Sequence, residues 1–302
     1  MLVIGECMME LRNQSSTSLV KSFAGDTYNT AVYAKRFAPS TSVSYLSAVG
    51  QDIFSAEMIA VWQSEGLSAE FVAKSTELPL GVYAISTDAH GERSFTYWRK
   101  NSAASQMMKL IDTDNVLANA NTIDTVYFSG ISLAILSDED KGALIEFVSA
   151  LRAKGARVAF DPNYRPKMWN SLEHAVLWTE KAYAISDIVF PGLEDHQDMF
   201  NQQTKEEIFS YFEQFSANEI VVKCGSDGVY GLDNGVKSHL PFTPAPKQVD
   251  STAAGDSFAG TYLGARSLGK NVADSVIEAA KIASLVVQHP GAIIDKEVYA
   301  SA

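Results

Sequence analysis

A chain of 302 residues with 46% hydrophobic content is long enough to bury a full core, and its formal charge of −12 argues against a nucleic-acid partner, which needs basic surface to displace phosphate counterions. No apolar run approaches the roughly 20 residues that span a bilayer, so no membrane partner is expected, and the opening Met1-Leu-Val-Ile-Gly is too short for a secretory h-region. Cys7 and Cys224 lie far apart, each beside a strand-like segment, which points to reduced thiols in the cytoplasm and away from a disulfide.

In chain order, residues 1–5 read as a first buried strand, residues 28–37 as a helix, 42–48 as a strand and 54–65 as a helix. Residues 80–86 and 93–98 then read as two strands joined through Asp88-Ala-His-Gly91 with no helix between, which predicts a hairpin. Strands follow at 125–128, 157–160, 188–190 and 219–222, with helices at 138–153 and 272–287. Strands alternating with helices predict a parallel sheet covered on both faces, with ligands outside the carboxyl ends of its strands. No internal repeat or low-complexity linker interrupts the chain, so one domain is expected over residues 1–302.

The segment Asp250-Ser-Thr-Ala-Ala-Gly-Asp256-Ser-Phe carries the clearest chemistry. Small residues at Ala253, Ala254 and Gly255 let backbone N–H groups approach an anion, and a helix starting there aims its positive end at the same charge. Asp256 then stands where a base can take a proton from an attacking hydroxyl. An Asp-rich turn capping a core helix is the plainer alternative. This run resembles the C-terminal signature of the ribokinase-like, or PfkB, carbohydrate kinases. Gly25-Asp26-Thr27-Tyr28-Asn29 is similar to that family's N-terminal sugar-binding segment, and the two occur in the family's order.

The resemblance implies a ribokinase-like α/β fold with a parallel central sheet and a small β lid built from residues of about 10–23 and 80–99. It implies an ATP- and Mg²⁺-dependent kinase with Asp256 as base and the amides of Ala253, Ala254, Gly255 and Asp256 as an anion hole, and Gly25, Asp26 and Asn29 on the sugar. Further motifs, Phe95-Thr-Tyr97-Trp98-Arg99 and Asp161-Pro162-Asn163-Tyr164-Arg165-Pro166, resemble the subgroup acting on the sugar acid 2-keto-3-deoxygluconate. There Arg99 and Arg165 would grip a carboxylate bidentately and Tyr83 and Tyr97 would offer hydroxyls, although such arginines also make cation–π contacts or cap loops, and lid aromatics also simply pack. The resemblance places Asn163, Arg165, Lys223, Gly225, Ser226 and Gly228 beside ATP, with a plain tight turn as the alternative at 225–228. It also implies association of copies through the lid and a monovalent cation near Asp250.

Phe190-Pro-Gly-Leu-Glu194-Asp195 aligns with the family's Asn-x-x-Glu segment, which acts on magnesium through water, but Gly192 replaces the Asn and Asp195 the Glu. Glu194 and Asp195 are therefore carried over as metal candidates, with an exposed acidic helix start as the alternative. Gly264-Ala-Arg-Ser-Leu-Gly-Lys270-Asn271 nearly spells a phosphate-binding loop but has Asn271 at the metal-binding Ser/Thr position, so it reads as a helix C-terminus. His90, His174, His196, His239 and His289 show no ligand spacing and read as surface or structural residues. A fructokinase or other neutral-sugar kinase of the same family, and a noncatalytic sugar-binding regulator, remain the rival expectations.

Overall fold

The computed structural model describes residues 1–15, 17–87 and 93–301. Its large sheet contains β1 (Leu2–Ile4), β4 (Ser44–Val49), β5 (Val72–Lys74), β8 (Thr125–Ser129), β9 (Arg157–Asp161), β10 (Ile188–Val189), β11 (Glu219–Lys223), β12 (Val229–Asp233) and β13 (Val236–Leu240). A second sheet contains β2 (Met8–Asn13), β3 (Leu19–Ala24), β6 (Gly81–Thr87) and β7 (Arg93–Trp98). The large sheet runs β13-β12-β11-β10-β9-β8-β1-β4-β5 and the small one β3-β2-β6-β7.

Alternation along each central strand explains the layering. Leu2 and Ile4, Val126 and Phe128, Val158 and Phe160, and Ile220 and Val222 all join one core cluster with residues of the Asp138–Ala153, Leu172–Ala184 and Lys205–Phe212 helices. The intervening Val3, Tyr127, Ala159 and Val221 join another, built with the Asp26–Phe37, Ile53–Ser64, Ala254–Ser267 and Val272–Val286 helices. Strands with both faces buried read as apolar runs, which is why their positions were visible in the sequence.

The sheet departs from the expected all-parallel form at one edge. β12 pairs antiparallel with both β11 and β13, in segments that the apolar-run reading did not single out, because Gly231, Asp233 and His239 interrupt them. The small sheet joins β2 and β6 in parallel, with β3 and β7 antiparallel on either side, and covers nearly the two segments expected of the lid. The connection through Asp88-Ala-His-Gly91, and His90 with it, lies outside the described residues. The Ala254–Ser267 helix does end as expected, and Asn271 caps the next helix by accepting from the Asp274 N–H at 2.8 Å.

Buried His196 is held between the Tyr183 hydroxyl and Gln202, and burial lowers its pKa to about 4, which makes it a structural histidine. Cys7 and Cys224 are both free and buried.

Glycine fixes how closely the two helices bearing Asp26 and Asp256 cross. A Cβ on Gly260 would lie 2.3 Å from the Thr30 carbonyl oxygen, and one on Gly264 2.9 Å from that of Ala34. Gly260→Ala should therefore force the helices apart and destabilise the fold by ~1–3 kcal/mol, the usual cost of overpacking. A lowered denaturant midpoint at unchanged slope checks this, and an unchanged midpoint would show that the helices can separate freely.

Candidate active site

Three strand ends and two helix starts converge at the carboxyl end of the parallel strands of the large sheet. Ser129 ends β8, Asp161 ends β9 and Lys223 ends β11, while Asp26 and Asp256 lie in the first turns of their helices. Ser129 and Asp161 are register partners, and a Cβ on Gly130 would lie 2.0 Å from the Pro162 carbonyl oxygen, so glycine is what permits the two strand ends to approach. Gly25 answers a similar need, because a Cβ there would lie 2.2 Å from the Glu6 carbonyl oxygen.

The acids are bound into one network. Asp26 Oδ2 accepts from Ser129 Oγ at 2.6 Å and from Asn163 Nδ2 at 3.0 Å. Asp161 accepts from Lys223 Nζ at 2.6 Å and from the Asn163 N–H at 3.0 Å. Asn163 makes both bonds from a left-handed backbone at φ 36°, a conformation that Asn adopts more readily than most residues. Asp256 Oδ2 accepts from Asn29 Nδ2 at 2.8 Å. Burial first, and then the neighbouring Asp26 charge, push the Asp256 carboxyl well above the ordinary aspartate range.

The start of the Ala254–Ser267 helix is a candidate cradle for an anion. Ala253 stands at the N-cap, and the Ala254 N–H bonds the Ser251 carbonyl at 3.2 Å, which takes that amide out of the expected set of four. Gly255 and Asp256 contribute the free amides of the first turn. The Lys223 ammonium lies 4.0 Å from where a Gly255 Cβ would be, so a lysine and a helix N-terminus face the same space. Asp250 supports this loop: its carboxylate accepts from Thr252 and, at 2.8 Å, from the Gly291 N–H.

Gly225 and Ser226 lie in an exposed short turn between β11 and β12, next to Lys223. A Cβ on Gly225 would meet nothing within 4 Å, whereas one on Gly228 would lie 2.1 Å from the Leu240 carbonyl oxygen. The structure thus gives Gly228 a packing reason of its own and leaves open surface at Gly225.

Asp195 faces the same charges as the cradle. Burial pushes its carboxyl up to about 6, opposed by Lys223 and Arg165 and reinforced by Asp161. Glu194 is exposed, and no cluster of three or more potential ligands among the described residues could hold a metal ion by itself. Of the two, half-buried Asp195 is the candidate for a magnesium ion brought to the site by phosphate groups.

On the small sheet, Tyr83 and Tyr97 are cross-strand partners with rings stacked at 5.7 Å. The Tyr83 hydroxyl donates to Glu10, so its one proton is committed within the sheet and only its acceptor capacity is left for a ligand. Tyr97 is half exposed, with the Arg99 guanidinium 5.9 Å from its ring centroid in the cation–π arrangement given above as an alternative, and both Arg99 and Arg165 act electrostatically on its hydroxyl. Arg99 Nη2 also pairs with Glu6 Oε2 at 2.5 Å, and Arg165 Nη1 donates to the Tyr164 carbonyl at 2.8 Å.

Sequence reasoning gave no role to Ser129, Asp161, Glu6 or Glu10. The first two could have been found from the rule that ligands bind outside the carboxyl ends of parallel strands, since each directly follows a strand legible in the sequence. Glu6 and Glu10 carry no such signal, because their partners Ser102 and Tyr83 lie 96 and 73 residues away.

Residues 1–298 match the family described as pfkB family carbohydrate kinase. A 2-dehydro-3-deoxygluconokinase of Haemophilus influenzae is 37% identical over 97% of this chain and 95% of its own length. Another of that description, from Dickeya dadantii, is 38% identical over 98% of this chain and 96% of its own length. The solved structure of a PfkB protein from Polaromonas sp. JS666 superposes with a TM-score of 0.87 at 25% identity, covering 100% of this chain and 99% of that one.

The network makes a prediction about proton affinity. Asp26→Asn removes a neighbouring negative charge, so the Asp256 carboxyl should titrate lower than in the parent protein while staying above the ordinary aspartate value of about 3.9, because burial remains. Carbon-detected NMR of the carboxyl across a pH series measures this, and an unmoved titration would remove Asp26 as a cause.

Proposed function

The chain belongs to the pfkB family of carbohydrate kinases, and from that premise we propose that it transfers the γ-phosphoryl group of ATP to the terminal hydroxyl of 2-keto-3-deoxygluconate. The observation that carries the reaction type is Asp256, a carboxylate of raised proton affinity at a helix N-terminus with Lys223 across from it. The hydroxyl gives its proton to Asp256 as its oxygen attacks the γ-phosphorus in line, and the bond to the ADP oxygen breaks. The Gly255 and Asp256 amides and Lys223 then stabilise charge on the transferring group. Magnesium, reached through water by Asp195, would neutralise the phosphates when bound.

Substrate class rests on the arginines. Arg99 and Arg165 both lie near Tyr97, and a 2-keto acid supplies the carboxylate that two guanidinium groups can share. Fructose has none. Gly25, Asp26 and Asn29 would meet the sugar hydroxyls, and Asn163, Lys223, Gly225, Ser226 and Gly228 flank the nucleotide in this reading. A monovalent cation beside Asp250 belongs to it as well, supported by the buried state of that carboxylate.

Residues 1–302 make one kinase domain in this reading, with residues 10–23 and 80–99 as a lid that excludes water from ATP. Exposed Leu19, Val20, Phe95 and Trp98 on the small sheet support a second copy of the chain as its cover. No helix among the described residues is long and apolar enough to cross a membrane. The free thiols of Cys7 and Cys224 support a cytoplasmic setting.

A coupled assay over a panel of sugars and sugar acids tests the substrate. The ratio of kcat/KM for 2-keto-3-deoxygluconate over fructose should exceed about 10, the worth of at least one charge-assisted hydrogen bond. A preference for fructose would overturn the substrate and leave the reaction type standing. The same assay across pH tests the base. Asp256 works only when ionised, so kcat/KM should fall as pH drops through its raised pKa, well above the ordinary aspartate range. A limb no higher than that of an unperturbed aspartate would contradict the assignment.

A further inference from the structure

Glu6 lies between β1 and β2, where the chain first leaves the large sheet for the small one, and it is 2% exposed. All four chain passages between the two sheets meet there. Glu6 is itself the first passage, and Gly25, on the second, packs against its backbone carbonyl. Gly81, on the third, is so close that a Cβ would lie 2.5 Å from Glu6 Oε1. On the fourth, Ser102 Oγ donates to Oε1 at 2.5 Å and Arg99 Nη2 faces Oε2 at 2.5 Å. Arg99 Nε and Glu6 Oε2 are both buried without a hydrogen-bond partner, so the guanidinium is held at one edge by its ion pair with Glu6.

A buried carboxylate is costly unless paired, and a flexible arginine loses much entropy when it is ordered by a ligand alone. Glu6 answers both. It fixes Arg99 before any ligand arrives, and Arg99 neutralises it. We infer that Glu6 is a positioning residue that holds the Arg99 guanidinium ready for the carboxylate of the acid sugar and ties that readiness to the junction of the two sheets. This rests on the reading of Arg99 as a substrate ligand.

A double-mutant cycle tests it, using kcat/KM for 2-keto-3-deoxygluconate at saturating ATP in the full-length enzyme, its Glu6→Gln and Arg99→Ala variants and the double variant. Glu6→Gln should lower kcat/KM about 10-fold, through the sugar KM and with the ATP KM unchanged. In the Arg99→Ala background the same change should have no further effect, because a residue acting through Arg99 then has nothing to act on. Equal losses in both backgrounds would reduce Glu6 to packing and overturn the inference. Should Glu6→Gln fail to fold, Ser102→Ala, which removes only the hydroxyl on Oε1, probes the same coupling: a smaller loss that depends on Arg99 supports the inference, and one that does not overturns it. An Arg99→Ala variant that keeps full kcat/KM would instead show that the substrate reading has failed, and this inference with it.

Discussion

Crowding three carboxylates together at the carboxyl end of the central strands is the constraint on which the rest of this structure depends. Asp161 is offset by the Lys223 ammonium and a backbone N–H, and Asp26 by a serine hydroxyl and an asparagine amide. Asp256 accepts one side-chain hydrogen bond, from Asn29, is opposed in its shift by Arg165, and lies beside Asp26. The proton affinity that the crowding raises therefore collects on the acid in the first turn of the Ala254–Ser267 helix. Raised proton affinity arises there from what is withheld from the carboxylate as much as from what is supplied.

The same constraint accounts for the glycines and for the local field. Close approach of the β8 and β9 ends needs Gly130, and close crossing of the two acid-bearing helices needs Gly260. Those helices point their N-termini at the site, and Lys223, Arg165 and Arg99 add the nearby positive charge. This local arrangement would outweigh the formal charge of −12 for an anionic ligand, because exposed charges further away than about 8 Å are screened at physiological ionic strength.

Much of this was legible in the sequence. The strands buried on both faces appeared as apolar runs, and the 138–153 helix was placed to the residue, since its apolar spacing coincides with the Ser137 cap at one end. Asp256, Asn29 and Asp26 were identified from two short motifs, and the structure brings them together across 227 residues of sequence. What stayed hidden is what depends on contact between distant segments. No local pattern shows that the Ala254 amide is taken by Ser251, that the Tyr83 proton goes to Glu10, or that Arg99 is already paired with Glu6. β12 and β13 were missed because their pairing at a sheet edge tolerates the polar residues that hid them.

The central claim, that Asp256 acts as the base and not as a structural acid, is tested most directly by Asp256→Asn, which keeps the size of the side chain and its place beside Asn29 while removing its basicity. Phosphoryl-transfer turnover and ATP affinity by calorimetry would be measured on the same folded variant. The account predicts turnover lower by at least ~100-fold with ATP affinity retained. Near-parental turnover in that variant would contradict it.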